Sequence, residues 1–286
     1  MAAAMILVRI VNVKRIWHVG VMFAAVSLVA PTALALDPMG PPAAGLAQGQ
    51  IEIGIDYSHS KMDLELSDGT WIELLDGVFL DAGEALPFTL KNFKASTTYA
   101  NIGFGATDRL EAFVRVGGTT GRFGDSVWQY QEEFDGSTDF AVGGGIKATF
   151  FDEGALQVGG LLQASWAEYN GTLFSPQPDW GEADRVEIEI AEVQIAVGAT
   201  YTWAERFSIY GGPFLHFVSG ELNDTWSEVD PGGLLTSEYS WEIDEDSVFG
   251  GYAGAQVELT ENCSFNIEYQ RTAAADAVGM SLLWRK

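Results

Sequence analysis

The sequence is short of cysteine, of basic residues and of long apolar runs. Its single cysteine, Cys263, makes an intramolecular disulfide impossible. From Leu36 onward it has 12 Lys and Arg residues against 40 Asp and Glu residues, a formal charge of −28. Such a chain does not offer the basic surface that binding to nucleic-acid phosphates requires. It is expected to attract cations instead.

The first 35 residues have the pattern of a cleaved secretory signal peptide. Val19–Ala30 is an uncharged apolar run, Pro31 interrupts it, and Ala33–Ala35 fits a cleavage site with small residues. The alternative is a transmembrane helix over residues 20–36, but 17 residues that include a proline fall short of the roughly 20 needed to span a bilayer. No later run reaches 18 apolar residues. The basic residues that precede the apolar run are Arg9, Lys14 and Arg15.

Residues 36–49 differ in composition from everything that follows. They carry three of the nine prolines and three glycines. This composition predicts a flexible periplasmic lead-in. No second linker is apparent further on, so we expect residues 50–286 to form one domain.

Alternation of apolar and polar residues dominates residues 50–286. In Phe140–Phe150 and Phe207–Phe217, an aromatic residue opens and closes one face of a predicted strand, ten residues apart. Ten strand residues tilted by about 40° stand about 25 Å tall, which is the height of the apolar band on a bacterial outer-membrane barrel. We count about ten such strands, with eight as the lower alternative, joined by turns that are alternately tight and long.

The predicted strands also have a polar face that carries charges near the middle of the strand. A lipocalin would direct its apolar residues inward and would usually pack a helix outside, whereas no convincing amphipathic helix is present. One predicted strand breaks the alternation, because Val186 to Ile190 and Val193 to Trp203 have opposite parity. Either a β-bulge near Ala191-Glu192 or the point where the strand leaves the membrane explains this break.

Aromatic residues cluster near the tight turns, where an interfacial girdle is expected on the periplasmic side. The girdle residues are Phe104, Phe150, Trp203, Phe207, Phe265 and Trp284. With the terminal strand Ala277–Trp284, these features make the chain resemble the outer-membrane β-barrel superfamily of didermal bacteria. The resemblance implies an all-β, antiparallel up-and-down barrel over residues 50–286 and no cofactor. It also implies contact with outer-membrane lipid, lipopolysaccharide and the barrel-assembly machinery, although Arg285 and Lys286 follow the expected terminal aromatic residue.

The parity predicts which charged residues point into the lumen. One interpretation is a passive, cation-preferring pore for small solutes. The other is a narrow or closed lumen filled by side chains, as expected for a barrel near the eight-strand limit, and we favour it. Arginine should then be costly at the lipid-facing Ile195 or Val197 and milder at the lumen-facing Gln194 or Thr200. The predicted lumen-facing charges are Glu52, Asp56, Glu111, Arg115, Lys147, Glu187, Glu189, Glu192, Glu258 and Glu268.

Histidines offer the only candidate catalytic chemistry, and the pattern argues against it. Omptin-like proteases carry an Asp-x-His pair near the outer rim, but Phe214 stands two positions before His216. Ser58-His59-Ser60 is similar to the Ser and His of lipid A deacylases without the surrounding motif. We therefore expect solvated rim histidines, no catalytic residues and no enzyme, with a surface hydrolase as a distant alternative.

An acidic segment, Glu221–Asp246, is predicted as an extracellular loop. It holds nine acidic residues and no basic ones, which is typical of a solvated rim. Its carboxylates are weak candidates for binding divalent cations, since they lack the spacing of an EF-hand loop. The candidate ligands are Glu242, Asp244, Glu245 and Asp246. The sequence as a whole favours a structural or surface barrel.

Overall fold

The structure is a computed structural model that describes residues 36–286, except 125–132, 174–182, 204–205, 231 and 245–247. The predicted signal peptide, residues 1–35, lies outside the described residues. No helix in the described part is long and apolar enough to cross a membrane. The strands are β1 (Ile51–Leu75), β2 (Val78–Glu84), β3 (Phe88–Thr107), β4 (Leu110–Gly124), β5 (Glu133–Asp135), β6 (Asp139–Glu153), β7 (Leu156–Leu173), β8 (Ala183–Trp203), β9 (Phe207–Asp230), β10 (Gly233–Asp244), β11 (Val248–Thr260), β12 (Cys263–Arg271) and β13 (Ala275–Arg285).

Ten of these strands close into a ring. The order is β1, β3, β4, β6, β7, β8, β9, β11, β12 and β13, and β13 pairs with β1 to complete it. Every pairing is antiparallel, so the chain runs up and down. The strand count and the up-and-down topology predicted from the sequence are therefore confirmed.

The outside of the ring carries an apolar band. Ile53, Ile102, Val114, Val197 and Leu282 are among the large apolar side chains exposed there, while polar residues on the same strands point inward. An apolar exterior around a closed antiparallel ring with a polar interior is the construction of an outer-membrane β-barrel, because lipid and not water surrounds its middle. The chain is a transmembrane barrel of this kind.

Several strands continue beyond the band on the side of the long connections. There β10 joins β9 directly to β1, above the shorter strands β11, β12 and β13. The predicted acidic loop is thus wrong in its secondary structure, because most of it forms the β9–β10 hairpin. A second extracellular hairpin, β1–β2, turns at Asp76-Gly77, where φ values of 50° and 77° suit a tight two-residue turn.

Strand β8 runs through the membrane and continues into the extracellular space. Val186, Ile188 and Ile190 point inward beside Glu192 and Gln194, in unbroken alternation, and β8 keeps its register with β7 throughout. The predicted β-bulge near Ala191-Glu192 is absent from β8. The break in the pattern marks where the strand leaves the membrane, because above that point water lies outside and an apolar core inside.

The apolar core at the extracellular end is built in large part from aromatic side chains. Phe93 packs edge-on against Tyr169 with ring centroids 5.0 Å apart, and Phe123 stacks on Phe134 at 4.6 Å. Such aromatic packing leaves the extracellular end filled with apolar side chains rather than with water. The other buried apolar residues of this core include Leu64, Leu66, Leu90, Val186, Ile188, Ile190, Leu222, Trp241 and Ile243.

Candidate functional site

Residues 36–49, at the N-terminal end of the described chain, lie against the inner wall of the barrel. Leu36, Met39, Ala43 and Leu46 are buried, although the segment has no regular secondary structure. The sequence predicts a flexible periplasmic lead-in here, and the structure differs. The segment's backbone donors and acceptors meet partners on the barrel wall, which a proline- and glycine-rich chain can satisfy without forming a helix or strand. We call residues 36–49 the plug.

The upper part of the plug is held through its carbonyl groups. Arg115 donates from Nη1 to the Pro38 carbonyl at 3.0 Å and from Nη2 to the Gln163 Oε1 atom at 2.8 Å. Gln163 and Gln270 both donate to the Asp37 carbonyl, at 3.2 Å and 2.7 Å. The guanidinium also lies 5.3 Å from the Tyr99 ring centroid, within cation–π range. Arg115 is only 2 % exposed, so the partners of its guanidinium are groups of the lumen and not bulk water.

The lower part of the plug is held through its amide groups. The Met39 and Gly40 amides donate to the two carboxylate oxygens of Glu268, at 3.0 Å and 2.9 Å. Further along, the Gly45 amide donates to Glu111 at 2.8 Å. Hydrogen bonds to a charged acceptor contribute more than neutral ones do, so both carboxylates fasten the plug to the wall.

Glycines on the wall make room for the plug. A Cβ atom at Gly159 would come within 2.5 Å of the Ala43 Cα atom, and one at Gly105 would collide with the Ala47 carbonyl oxygen. A Cβ atom at Gly279 would stand 2.9 Å from Pro38. Without the plug, these inward-facing glycines would leave free space in the lumen. In the structure the plug occupies that space.

Little room remains once the plug is in place. One cavity of about 10 Å³ lies beside Leu36, and a second of about 30 Å³ lies lower, beside Met39. Volumes of this size hold one or two water molecules. Each of these two cavities is too small to hold a solute larger than water.

Eight of the ten predicted lumen charges lie inside the barrel. Glu187 and Glu189 do not: they point outward from β8 above the apolar band, because Ile188 and Ile190 take the inward positions. At the periplasmic end Arg285 pairs with Glu52 at 2.8 Å and with Glu258 at 3.4 Å. The inward eight are Glu52, Asp56, Glu111, Arg115, Lys147, Glu192, Glu258 and Glu268.

The two histidines differ from each other, and only His216 departs from the prediction of solvated rim residues. His216 is 0 % exposed and lies inside the barrel, where its Nε2 atom is 3.0 Å from the Glu192 carboxylate. His59 points outward and contacts the Ser96 hydroxyl at 2.9 Å. Ser58 and Ser60 are buried on the opposite face of β1, so strand alternation separates them from the His59 ring.

The acidic candidates for metal binding are only partly described. Glu242 is exposed on β10, the side chain of Asp244 is outside the described set, and Glu245 and Asp246 lie outside the described residues. Among the described side chains, no group of three or more His, Cys, Asp or Glu residues is arranged to hold a metal ion.

Glutamates do, however, form a row on the outer wall just above the apolar band. Glu168, Glu189, Glu221 and Glu242 lie directly opposite one another across β7, β8, β9 and β10. On the inner side of β10, burial and the carboxylates of Asp224 and Glu73 raise the pKa of the Tyr239 hydroxyl. Acidic side chains therefore lie on both faces of the extracellular wall around β9 and β10.

The predicted girdle residues all lie near the periplasmic end. Five of the six are exposed on the outer surface and Phe265 is half-buried. Trp203 pairs directly with Phe207 across β8 and β9. This outward placement is the one an interfacial girdle requires.

Comparison with known proteins gives similarity in architecture alone. No protein-family model matches the chain, and no curated protein sequence matches it. The outer-membrane protease OmpT of Escherichia coli is 12 % identical over 82 % of this chain and 94 % of its own, with a TM-score of 0.41. OprG, an outer-membrane protein of Pseudomonas aeruginosa, is 11 % identical over 73 % of this chain and 97 % of its own, with a TM-score of 0.40. An outer-membrane channel of Pseudomonas putida F1 is 11 % identical over 88 % of this chain and 100 % of its own, with a TM-score of 0.41.

Proposed function

We propose that this protein is a closed, non-enzymatic outer-membrane barrel with a structural and surface role. The observation that carries the proposal is the filled lumen: the plug occupies the membrane-level interior, and an apolar core fills the extracellular end. A solute would have to displace both. Ten strands enclose an interior little wider than side chains can fill, so a modest plug suffices to close it.

A cation-preferring pore is the second candidate, and it has a specific observation in its favour. Six of the eight lumen charges named above are carboxylates, and they would line the opening if the plug left. The hydrogen bonds that hold the plug, including the one from Arg115 to the Pro38 carbonyl, favour the closed state, because an emptied lumen would exchange them for water. The closed form is therefore the resting form in this proposal.

Placement of the titratable groups supports a non-enzymatic role. His216 lies in the closed lumen, where a surface substrate does not reach it. His59 has the Ser96 hydroxyl as its side-chain partner, and Lys61 and Lys94 lie two residues further along the same strands.

Lipopolysaccharide is the partner that the outer wall best fits. Lys61, Lys94 and Arg122 lie directly opposite one another across β1, β3 and β4, above the apolar band. Such a row suits lipid phosphates. On the other side of the barrel, divalent cations would bridge the glutamate row to the same phosphates.

Conductance in planar lipid bilayers tests the closed lumen. The wild-type barrel should give no ion-conducting steps. A chain beginning at Gly49 should conduct and prefer cations, since the carboxylates of the lumen are then uncovered. Gly159→Leu should also conduct, because its side chain would occupy the place of Ala43.

The matched control is Gly251→Leu, which adds the same side chain on the lipid-facing side of β11. It should stay closed. Steps of equal size from the wild-type protein and from the plugless chain would contradict the proposal. Heat-modifiable gel migration of each variant confirms that its barrel has folded.

A further inference from the structure

The upper cavity beside Leu36 has a polar composition that the closed lumen alone does not explain. Leu36 and Asp37 line it together with Ser58, Ser60, Thr97, Ser165 and Glu192. Ser58, Ser60 and Thr97 are buried, so this is an enclosed polar chamber directly below the apolar extracellular core. An apolar filling would stabilise a closed barrel at least as well, since buried polar groups cost free energy unless they are satisfied.

Leu36 is the innermost described residue of the plug. The residues after it descend past Arg115 and Glu268 to the periplasmic rim, where the Gln48 amide donates to Asp108 at 3.0 Å. Beyond Leu36 the chamber is bounded by Tyr169 and Ile190, which belong to the apolar core. Leu36, at the start of the plug, therefore lines a small polar chamber that borders the apolar core.

The sequence independently places a signal-peptidase site between Ala35 and Leu36. Hydrolysis there adds one water across the amide bond and leaves a carboxylate on Ala35 and an ammonium group on Leu36. We propose that the chamber is a binding site for this new α-ammonium group of Leu36, with Glu192 and Asp37 as its anionic partners. Cleavage of the signal peptide would thus create the charged group that anchors the N-terminal end of the plug.

Charge balance supports the assignment. Asp37 and Glu192 are buried acids at this level. Arg115 binds the next carbonyl of the plug, the Tyr99 hydroxyl donates to the Asp37 carboxylate, and His216 Nε2 lies 3.0 Å from one Glu192 oxygen. An ammonium group would add a permanent cation beside the two carboxylates that line the chamber. Buried charges persist in proteins when they are paired and hydrogen-bonded. The hydroxyl oxygens of Ser58, Ser60 and Thr97 can accept hydrogen bonds from the ammonium group.

Two measurements on the purified wild-type barrel test the proposal. N-terminal sequencing should identify Leu36 as the first residue. An amine-reactive ester at neutral pH should acylate the Leu36 α-amine at least about tenfold more slowly in the folded barrel than in urea, because only opening of the structure exposes it. A different first residue, or equal labelling in both states, would overturn the proposal.

Variants separate binding of the ammonium from burial of the plug. Glu192→Gln should speed acylation of the folded protein several-fold, while Glu189→Gln, which alters an exposed residue of the same strand, should not.

A Gly-Ser insertion after Ala35 should lower the thermal midpoint by several degrees, and the same insertion after Gly154, in an open turn, should not. If Glu192→Gln prevents folding, the Gly-Ser insertion decides, since it displaces the ammonium group and leaves the Glu192 side chain unchanged. A closed but freely labelled barrel would refute this site and leave the proposed function standing.

Discussion

At the scale of the residue, Arg115 links the barrel wall to the plug. Replacing it with alanine removes hydrogen bonds to the Pro38 carbonyl and to Gln163, together with ring contacts to Tyr99 and Phe113. We expect a loss of about 2–4 kcal/mol in the free energy of unfolding, measured by urea titration in detergent.

Arg122 provides the control. It forms a two-point ion pair with Asp135, but both side chains are exposed, and such pairs contribute about 0–1 kcal/mol. Equal effects of Arg115→Ala and Arg122→Ala would mean that the plug does not hold the guanidinium in solution.

The inward position of Arg115 was predictable from strand alternation, but its partner was not. Residues 36–49 have no period of two or 3.6, and their prolines and glycines are typical of a linker. Burial of the plug depends on glycines such as Gly159, far away in the sequence, that leave space on the wall. The sequence pattern within residues 36–49 therefore does not reveal that this segment packs against distant glycines.

At the scale of the element, β8 tests the two environments within one strand. Val197→Arg, on the lipid-facing side, should cost about 2–4 kcal/mol. Glu189→Arg, on the same face but above the membrane, should change stability by no more than about 0.5 kcal/mol. Ile188→Arg should cost more than about 3 kcal/mol, since it places a charge in the extracellular apolar core. Urea unfolding in lipid vesicles measures all three.

Equal costs at Val197 and Glu189 would contradict the boundary assigned to the membrane. The expectation that arginine is mild at the lumen-facing Gln194 changes with the structure. Gln194 is 2 % exposed and hydrogen-bonded to both Gln163 and Gln270, so a larger charged side chain there would overpack a filled interior.

The alternating pattern predicts the ten strands of the ring but not the extracellular hairpins. The β1–β2 hairpin does have a different signal in the sequence, the turn residues Asp76-Gly77 between Leu75 and Val78. The β9–β10 hairpin is harder to recognise, because its acidic residues hide the alternation of Trp241 and Ile243 with polar neighbours. In this hairpin the apolar side chains point inward, whereas in the membrane part of the barrel they point outward. A rule that places every apolar face on the outside therefore fails for the hairpin.

At the scale of the whole molecule, two different kinds of packing fill the interior of the barrel. Below, a polar network of Arg115, Gln163, Gln270 and Glu268 binds the plug, and above it apolar side chains form a core. Each layer matches its surroundings, since the membrane part must direct its apolar residues outward and the extracellular part can direct them inward. The sequence indicates a narrow lumen, and the structure supplies the segment that fills it.

Disulfide cross-linking tests the position of the plug most directly. The Ala44 amide lies 3.1 Å from the Thr149 hydroxyl, so cysteines at these two positions in a Cys263→Ser chain are close enough to bond. Oxidation of the folded barrel should cross-link Ala44→Cys with Thr149→Cys, and it should not cross-link Ala44→Cys with the lipid-facing Ile195→Cys. If instead the cysteine at position 44 stays reduced and reacts freely with a water-soluble maleimide, the plug is outside the lumen and the account of a closed barrel is wrong.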